Sequence, residues 1–193
     1  MNDTLTNIAK RYSCRSFTDK VIADADLRAI ADAAIQAPSA MNRQGWHFAV
    51  VKNKALLSEI EAEGMRVLSE LADKSSYNRI VSRGGKLFYS AQAVVFIAVP
   101  VNSDAALDRY TKYAPIDLGI AAQNVSLAAT SLGIANCHCG LVAFCFASDK
   151  ADCFKQKLNF PAGFECSYGV LLGYARESGT PHATDVGKIS FIE

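Results

Sequence analysis

The sequence predicts an α+β domain in which helices wrap a mixed central sheet. Three observations carry this. Ala93 to Val99 is apolar at every position, as in a central strand covered on both faces. Several other segments repeat apolar residues at helical spacing. Strand-like and helix-like segments then alternate to about residue 174, with no internal repeats, low-complexity tracts or Pro/Ser-rich linkers. At 193 residues, against roughly 100–200 per domain, the chain is expected to be one domain over 1–193.

In chain order, Leu5, Ile8, Ala9 and Tyr12 mark a first helix, capped by Asn2 or Asp3. Asp24 is the expected N-cap of a second, with Leu27, Ile30, Ala34 and Ile35 on its apolar face. Pro38 ends that helix by biasing Ala37 out of helical geometry. Trp46 to Val51 reads as a strand. Asn53 opens a third helix carrying Leu57, Ile60, Val67 and Leu68, with Gly64 as its weak point. Ser75 to Gly85 is polar, contains a Gly pair and reads as a surface connection. Pro115 suits the first turn of the next helix, and Gly133 its end. That helix is apolar on most of its sides, so burial against another subunit is expected as well as against its own sheet. A strand near Cys137 to Phe146, a helix from about Ser148 to Leu158 and a strand near Cys166 to Tyr174 follow. The tail from Arg176 looks irregular and must dock somewhere or be disordered.

Composition narrows the class. The chain is 50% hydrophobic and 20% charged, which suits a sizeable core and excludes disorder. Lys and Arg total 20 against 19 Asp and Glu, so there is no basic footprint for nucleic acid and no acidic tail. The start, MNDTLTNIAK, lacks the charged and apolar regions of a signal peptide. Ala93 to Val99 is too short to cross a bilayer, and Asp117, Gln123 and Asn124 spoil Ile116 to Ala135 as a span. A soluble cytoplasmic protein with reduced cysteines is the expectation.

The usual phosphate loops, G-x-G-x-x-G after a strand and G-x-x-x-x-G-K-[ST], are missing. So are C-x-x-C, H-E-x-x-H and G-x-S-x-G, which leaves hydrolase and metalloenzyme readings weak. Three stretches remain. Arg11-Tyr12-Ser13-Cys14-Arg15 places two guanidinium groups and a hydroxyl at a chain turn, a receptor for phosphate or else a solvated basic turn. Cys14 between them is either an activated thiol or a space-filling one. Pro38 to Trp46 sets Ser39, Asn42 and Gln44 on a loop, to read the edge of a flat heterocycle or simply to cap the preceding helix. Cys137-His138-Cys139-Gly140 invites a metal reading. Adjacent strand positions face opposite ways and no further ligands are spaced to help, so small buried cysteines are the better account.

In this order, the three stretches resemble the FMN-dependent nitroreductase family. Arg11, Ser13, Arg15 and Phe17 occupy its Arg-x-Ser-x-Arg/Lys-x-Phe pattern, and Pro38, Ser39, Asn42, Gln44 and Trp46 its Pro-Ser-Ser-x-Asn-x-Gln-Pro-Trp. Leu87 to Gln92 resembles its Phe-Tyr-Gly-Ala-Pro lead into the central strand, and Asp117 to Gly133 its long central helix. The departures are Ala40 for Ser, Gly45 for Pro, Ser90 for Gly and Gln92 for Pro.

The resemblance implies an intertwined homodimer with FMN at the subunit interface. Arg11, Tyr12, Ser13 and Arg15 would hold the flavin from one subunit, and Pro38, Ser39, Ala40, Asn42 and Gln44 would approach it from the other. The backbone at Cys139, Gly140 and Leu141 would reach the ring, and Lys188 of the tail the phosphate. No catalytic side chain is implied, because the flavin carries the chemistry: a hydride from NADH or NADPH, then reduction of a nitroaromatic, quinone or related oxidant. Competing readings are a flavin-binding sensor or electron-transfer module without efficient turnover, a dehalogenase-like or flavin-fragmenting relative with a lid in Gly64 to Gly85, and a structural dimer without FMN.

Overall fold

The computed structural model describes residues 1–101 and 111–192. Four strands, β1 (His47–Val51), β2 (Ala93–Pro100), β3 (Ala135–Cys139) and β4 (Phe164–Gly173), form one sheet in the order β1-β2-β4-β3. Every ladder is antiparallel. Among the described residues, the mixed character expected from the sequence is confined to an isolated parallel bridge between Ser13 and Asn136.

β2 is central, and its alternation explains why it has no polar face. Ala93, Val95 and Ile97 enter one core with α2 (Asp24–Ile35) and α5 (Ala114–Ser131). Val94, Phe96 and Ala98 enter the other, with α3 (Lys54–Glu70), α6 (Val142–Cys145) and α7 (Ala151–Lys157). A strand between two cores needs apolar residues at odd and even positions alike.

Local chemistry sets most boundaries. In α1 (Asp3–Lys10), the Asn2 side chain accepts from the Leu5 N–H at 2.9 Å. Asn53 caps α3 in the same way through Leu56. The N-cap of α2 is Ala23, one residue before the expected Asp24. Asp24 instead stands in the first turn, where the helix dipole favours it, and pairs with Lys52 at the end of β1. Residues 75–81 are not a connection but a helix, α4 (Ser75–Val81), anchored by buried Ile80 and closed by left-handed Gly84 and Gly85. The strand expected to run to Phe146 stops at Cys139; Val142 and Cys145, three apart, turn one helical face onto α3.

Gly64 is the seat of that packing. A Cβ there would lie 2.5 Å from Cys145 Sγ and 3.1 Å from Leu87 Cδ1, so α6 approaches α3 only because the side chain is missing. Adjacent in sequence, buried Glu63 receives Arg66 at 2.6 Å and Lys150 at 3.0 Å, tying α3 to the turn before α7. The Arg66 bond is the main force lowering its pKa from the ordinary 4.5 to about 2. A depressed carboxylate pKa adds stability that is present above 4.5 and lost as pH falls toward 2. Glu63→Gln is therefore expected to melt several degrees below wild type at pH 7. The gap between the two melting curves should close as pH is lowered from 4.5 toward 2.

Candidate functional site

Segment 11–15 leaves α1 and runs beside β3. The Cys14 N–H donates to the Asn136 carbonyl at 2.9 Å, next to the Ser13–Asn136 bridge. In so extended a segment, residues two apart share a face. Arg11, Ser13 and Arg15 thus look away from the core, whereas Cys14 is buried in it. Burial pushes the Cys14 thiol above its usual pKa, against the pull of Arg15, so it is a packing residue rather than an activated thiol.

A cleft of about 360 Å³ opens beside β3. Arg15, Arg79, Arg83 and Tyr89 line it together with residues 137–141, and among the described residues no acidic side chain is in its walls. Arg11 is not one of the lining residues but lies near two of them. Its Nη1 is buried with no hydrogen-bond partner among the described residues, and its charge acts on both Cys137 and His138. Gly140 is open to the cleft: a Cβ there would meet only Tyr168 Cε2, at 3.8 Å. The backbone at Cys139, Gly140 and Leu141 is therefore within reach of a bound molecule.

The floor of the cleft is held by polar bonds that the sequence reading did not foresee. His138 Nε2 lies 2.7 Å from Ser126 Oγ on α5, and Nδ1 lies 3.1 Å from the Tyr168 hydroxyl on β4. Desolvation first, then Arg11, holds His138 below its ordinary pKa, and a neutral ring matches one donor and one acceptor role. The Asn136 side-chain amide donates to the Ser126 carbonyl at 3.1 Å and to Thr130 Oγ1 at 3.0 Å. Cys137 and Cys139 turn the other way, into the core, and burial raises both thiols. Among the described residues, no group of three or more His, Cys, Asp or Glu could hold a metal ion.

The second set of predicted residues lies elsewhere. The loop through Pro38, Ser39, Ala40, Asn42 and Gln44 precedes β1, at the opposite edge of the sheet from β3. Three interstrand spacings separate the two edges, roughly 14 Å. None of the five lines the cleft. Three non-glycine residues in the loop are left-handed: Met41 (φ 54°), Asn42 (φ 53°) and Gln44 (φ 48°). Such backbone persists where its surroundings over-determine it. Here the Ala40 N–H donates to Asp117 Oδ1 at 3.1 Å, the Gln44 N–H to Ser39 Oγ at 2.9 Å, and Gln44 Nε2 to Asn42 Oδ1 at 3.2 Å.

Lys188 lies in a short turn of the tail, 3.9 Å from Asp185, and does not line the cleft. The tail passes Tyr12, whose ring closes against Gly179. It also carries exposed Val186, Ile189, Phe191 and Ile192. The cleft residues outside the expected site set are Arg79, Arg83, Tyr89, Cys137 and His138. A signal was available in the i,i+4 spacing of the two arginines, but the Gly pair after them masked it.

Among the described residues, no helix is long and apolar enough to cross a membrane. The sequence profile of the Nitroreductase family matches residues 8–174. A nitroreductase from Desulfitobacterium hafniense DCB-2, solved with bound FMN, superposes with a TM-score of 0.92 at 47% identity over 100% of both chains. A nitroreductase from Bacteroides fragilis NCTC 9343, also solved with FMN, gives 0.88 at 28% identity, again over 100% of both chains. A protein of Archaeoglobus fulgidus provisionally named NADH dehydrogenase/NAD(P)H nitroreductase is 28% identical over 177 residues, 92% of this chain and 88% of its own.

Proposed function

As the chain belongs to the Nitroreductase family, we propose that it is an FMN-dependent oxidoreductase that draws on NADH or NADPH and reduces nitroaromatic, quinone or related oxidants in a ping-pong cycle. The observation that carries this reading is the buried Nη1 of Arg11, unpaired among the described residues and close to the cleft that Arg15 lines. A buried guanidinium atom without a partner is costly unless a ligand completes it. A phosphate fits, since it offers oxygen pairs to planar donors and an acceptor to the Ser13 hydroxyl.

When bound, FMN supplies the redox centre that accepts a hydride from the nicotinamide and passes reducing equivalents to the oxidant. The protein's part is to bind and orient. Arg11, Ser13 and Arg15 would hold the phosphate and the ring edge, and the backbone around Gly140 would meet the ring. The neutral His138, bonded at both nitrogens, keeps β3 in place against α5 and β4. No side chain is assigned as an acid or base.

The reading includes a homodimer in which the 38–46 loop of one subunit covers the cleft of the other. Two observations support it. The loop sits at the far edge of the sheet from its own chain's cleft. α5 leaves Ile116, Ile120 and the adjacent Leu132 exposed, and α1 buries no residue of its own, with Leu5 and Ile8 half-exposed. Ile120→Asp is expected to yield a monomer in light scattering that has lost its flavin. A dimer retaining full FMN would refute that arrangement.

The test of the activity is the visible spectrum of the purified protein before and after anaerobic addition of NADH or NADPH. Flavin bands that bleach, and return when a quinone or nitroaromatic is added, are the expected result. Bands that persist with both nucleotides would favour a sensor or electron-transfer module. No flavin after incubation with FMN would overturn the assignment.

A further inference from the structure

We propose that Arg79 and Arg83 form a recognition site for an anionic group, a carboxylate or phosphate, on the second molecule that enters the cleft. This deepens the flavin reading and rests on it for the identity of the neighbouring ligand. Both arginines belong to one short segment. Arg79 stands on α4 and Arg83 just beyond it, four residues on, and both line the cleft with Arg15. The segment is pinned from behind. Ile80 is buried, and its carbonyl receives the N–H groups of Arg83 and Gly85, both at 3.0 Å.

Among the described residues, nothing neutralises either guanidinium. Arg79 Nη2 reaches Ser76 Oγ at 3.3 Å, and no acidic partner of Arg79, Arg83, Arg11 or Arg15 occurs among the described residues. Other surface cations of the same region behave differently: Arg66 pairs with Glu63 and Glu70, and Lys86 lies 3.9 Å from Glu61. Like charges gathered in one concave site repel one another and raise the local concentration of anions. A phosphate monoester carries a charge of about −1.5 to −2 near neutral pH, which Arg11 and Arg15 already match. The two charges from Arg79 and Arg83 are left over for a second anion, and two neighbouring forks suit a carboxylate or phosphate better than a neutral ring.

The experiment compares wild type with Arg79→Gln/Arg83→Gln. Benzoate and the nearly isosteric benzamide are titrated into the flavin-loaded protein by calorimetry, and kcat/KM is measured for 4-nitrobenzoate and 4-nitrobenzamide with NADH and with NADPH. Wild type is expected to prefer the anionic member of at least one pair. The double variant should lose that preference by about tenfold or more, the order expected for one or two charge-assisted hydrogen bonds. FMN affinity and turnover of 4-nitrobenzamide with NADH should stay within about twofold. A loss confined to NADPH would assign the site to the donor's phosphate, and one confined to benzoate and nitrobenzoate would assign it to the oxidant. Equal effects on charged and neutral ligands, or an unchanged preference, would overturn the proposal. So would release of FMN from the variant, since the arginines would then serve the cofactor. Failure of wild type to bind FMN or reduce 4-nitrobenzamide would instead be failure of the oxidoreductase reading itself.

Discussion

Arg11→Ala is expected to weaken FMN binding by about 10- to 100-fold while leaving the flavin-free protein as stable as wild type, or slightly more so. The two halves have one cause. Nη1 of Arg11 is buried and unpaired among the described residues, so its removal breaks none of their hydrogen bonds and relieves a desolvated donor. A charge-assisted hydrogen bond is worth about 1.5–3 kcal/mol, and about 1.4 kcal/mol is a factor of ten. Fluorescence titration of the apoprotein measures the first half, and urea denaturation without flavin the second. Riboflavin is the control: lacking the phosphate, it should bind wild type and variant alike. A variant that holds FMN as tightly as wild type would show that Arg11 faces something else. Arg15→Ala should weaken FMN in the same direction, since Arg15 lines the cleft directly.

Gly64→Ala is expected to destabilise the protein by about 1–3 kcal/mol, although helix propensity alone argues for a gain of about 1 kcal/mol. The reversal comes from Cys145 Sγ, 2.5 Å from the position of the new Cβ, with Leu87 Cδ1 at 3.1 Å. Both neighbours are fully buried, so neither can swing aside into solvent. In a chain of this size each kcal/mol lowers Tm by about 2–4 °C. Thermal denaturation followed by circular dichroism reads the shift. Adding Cys145→Ala should recover most of it, because it removes the atom in the way. A single variant as stable as wild type would mean that α6 is free to move off α3.

Gly64 also illustrates what a sequence does not convey. On the sequence it weakens a helix; in the fold it is the point where two helices meet. Nothing within reach of residue 64 along the chain announces Cys145, 81 positions away. The same holds for α4. Its polar residues and Gly pair read as a connection, and only the burial of Ile80 makes a helix there that aims two arginines at the cleft. The strand expected through Phe146 failed for a related reason. Apolar residues at 142 and 145 fit either period in so short a run, and contact with α3 decided for the helix.

The features legible in the sequence were those written in local chemistry or in a long pattern. β2 was visible because burial on both faces leaves no polar position. The caps at Asn2 and Asn53 were visible because a side-chain amide serves its own helix within three residues. The end of α5 was visible in Gly133, whose φ of 71° suits glycine. The two motifs around Arg11 and Ser39 stood out because clustered polar and cationic groups on short turns are unusual. What the tertiary structure alone decided is which of these groups share a cleft. It placed Arg15, residues 137–141, Arg79 of α4 and Arg83 just beyond it together, and set the Ser39 loop at the far edge of the sheet. Strand order governs that separation, and strand order follows from how two cores close around β2, a long-range balance that no local stretch of sequence encodes.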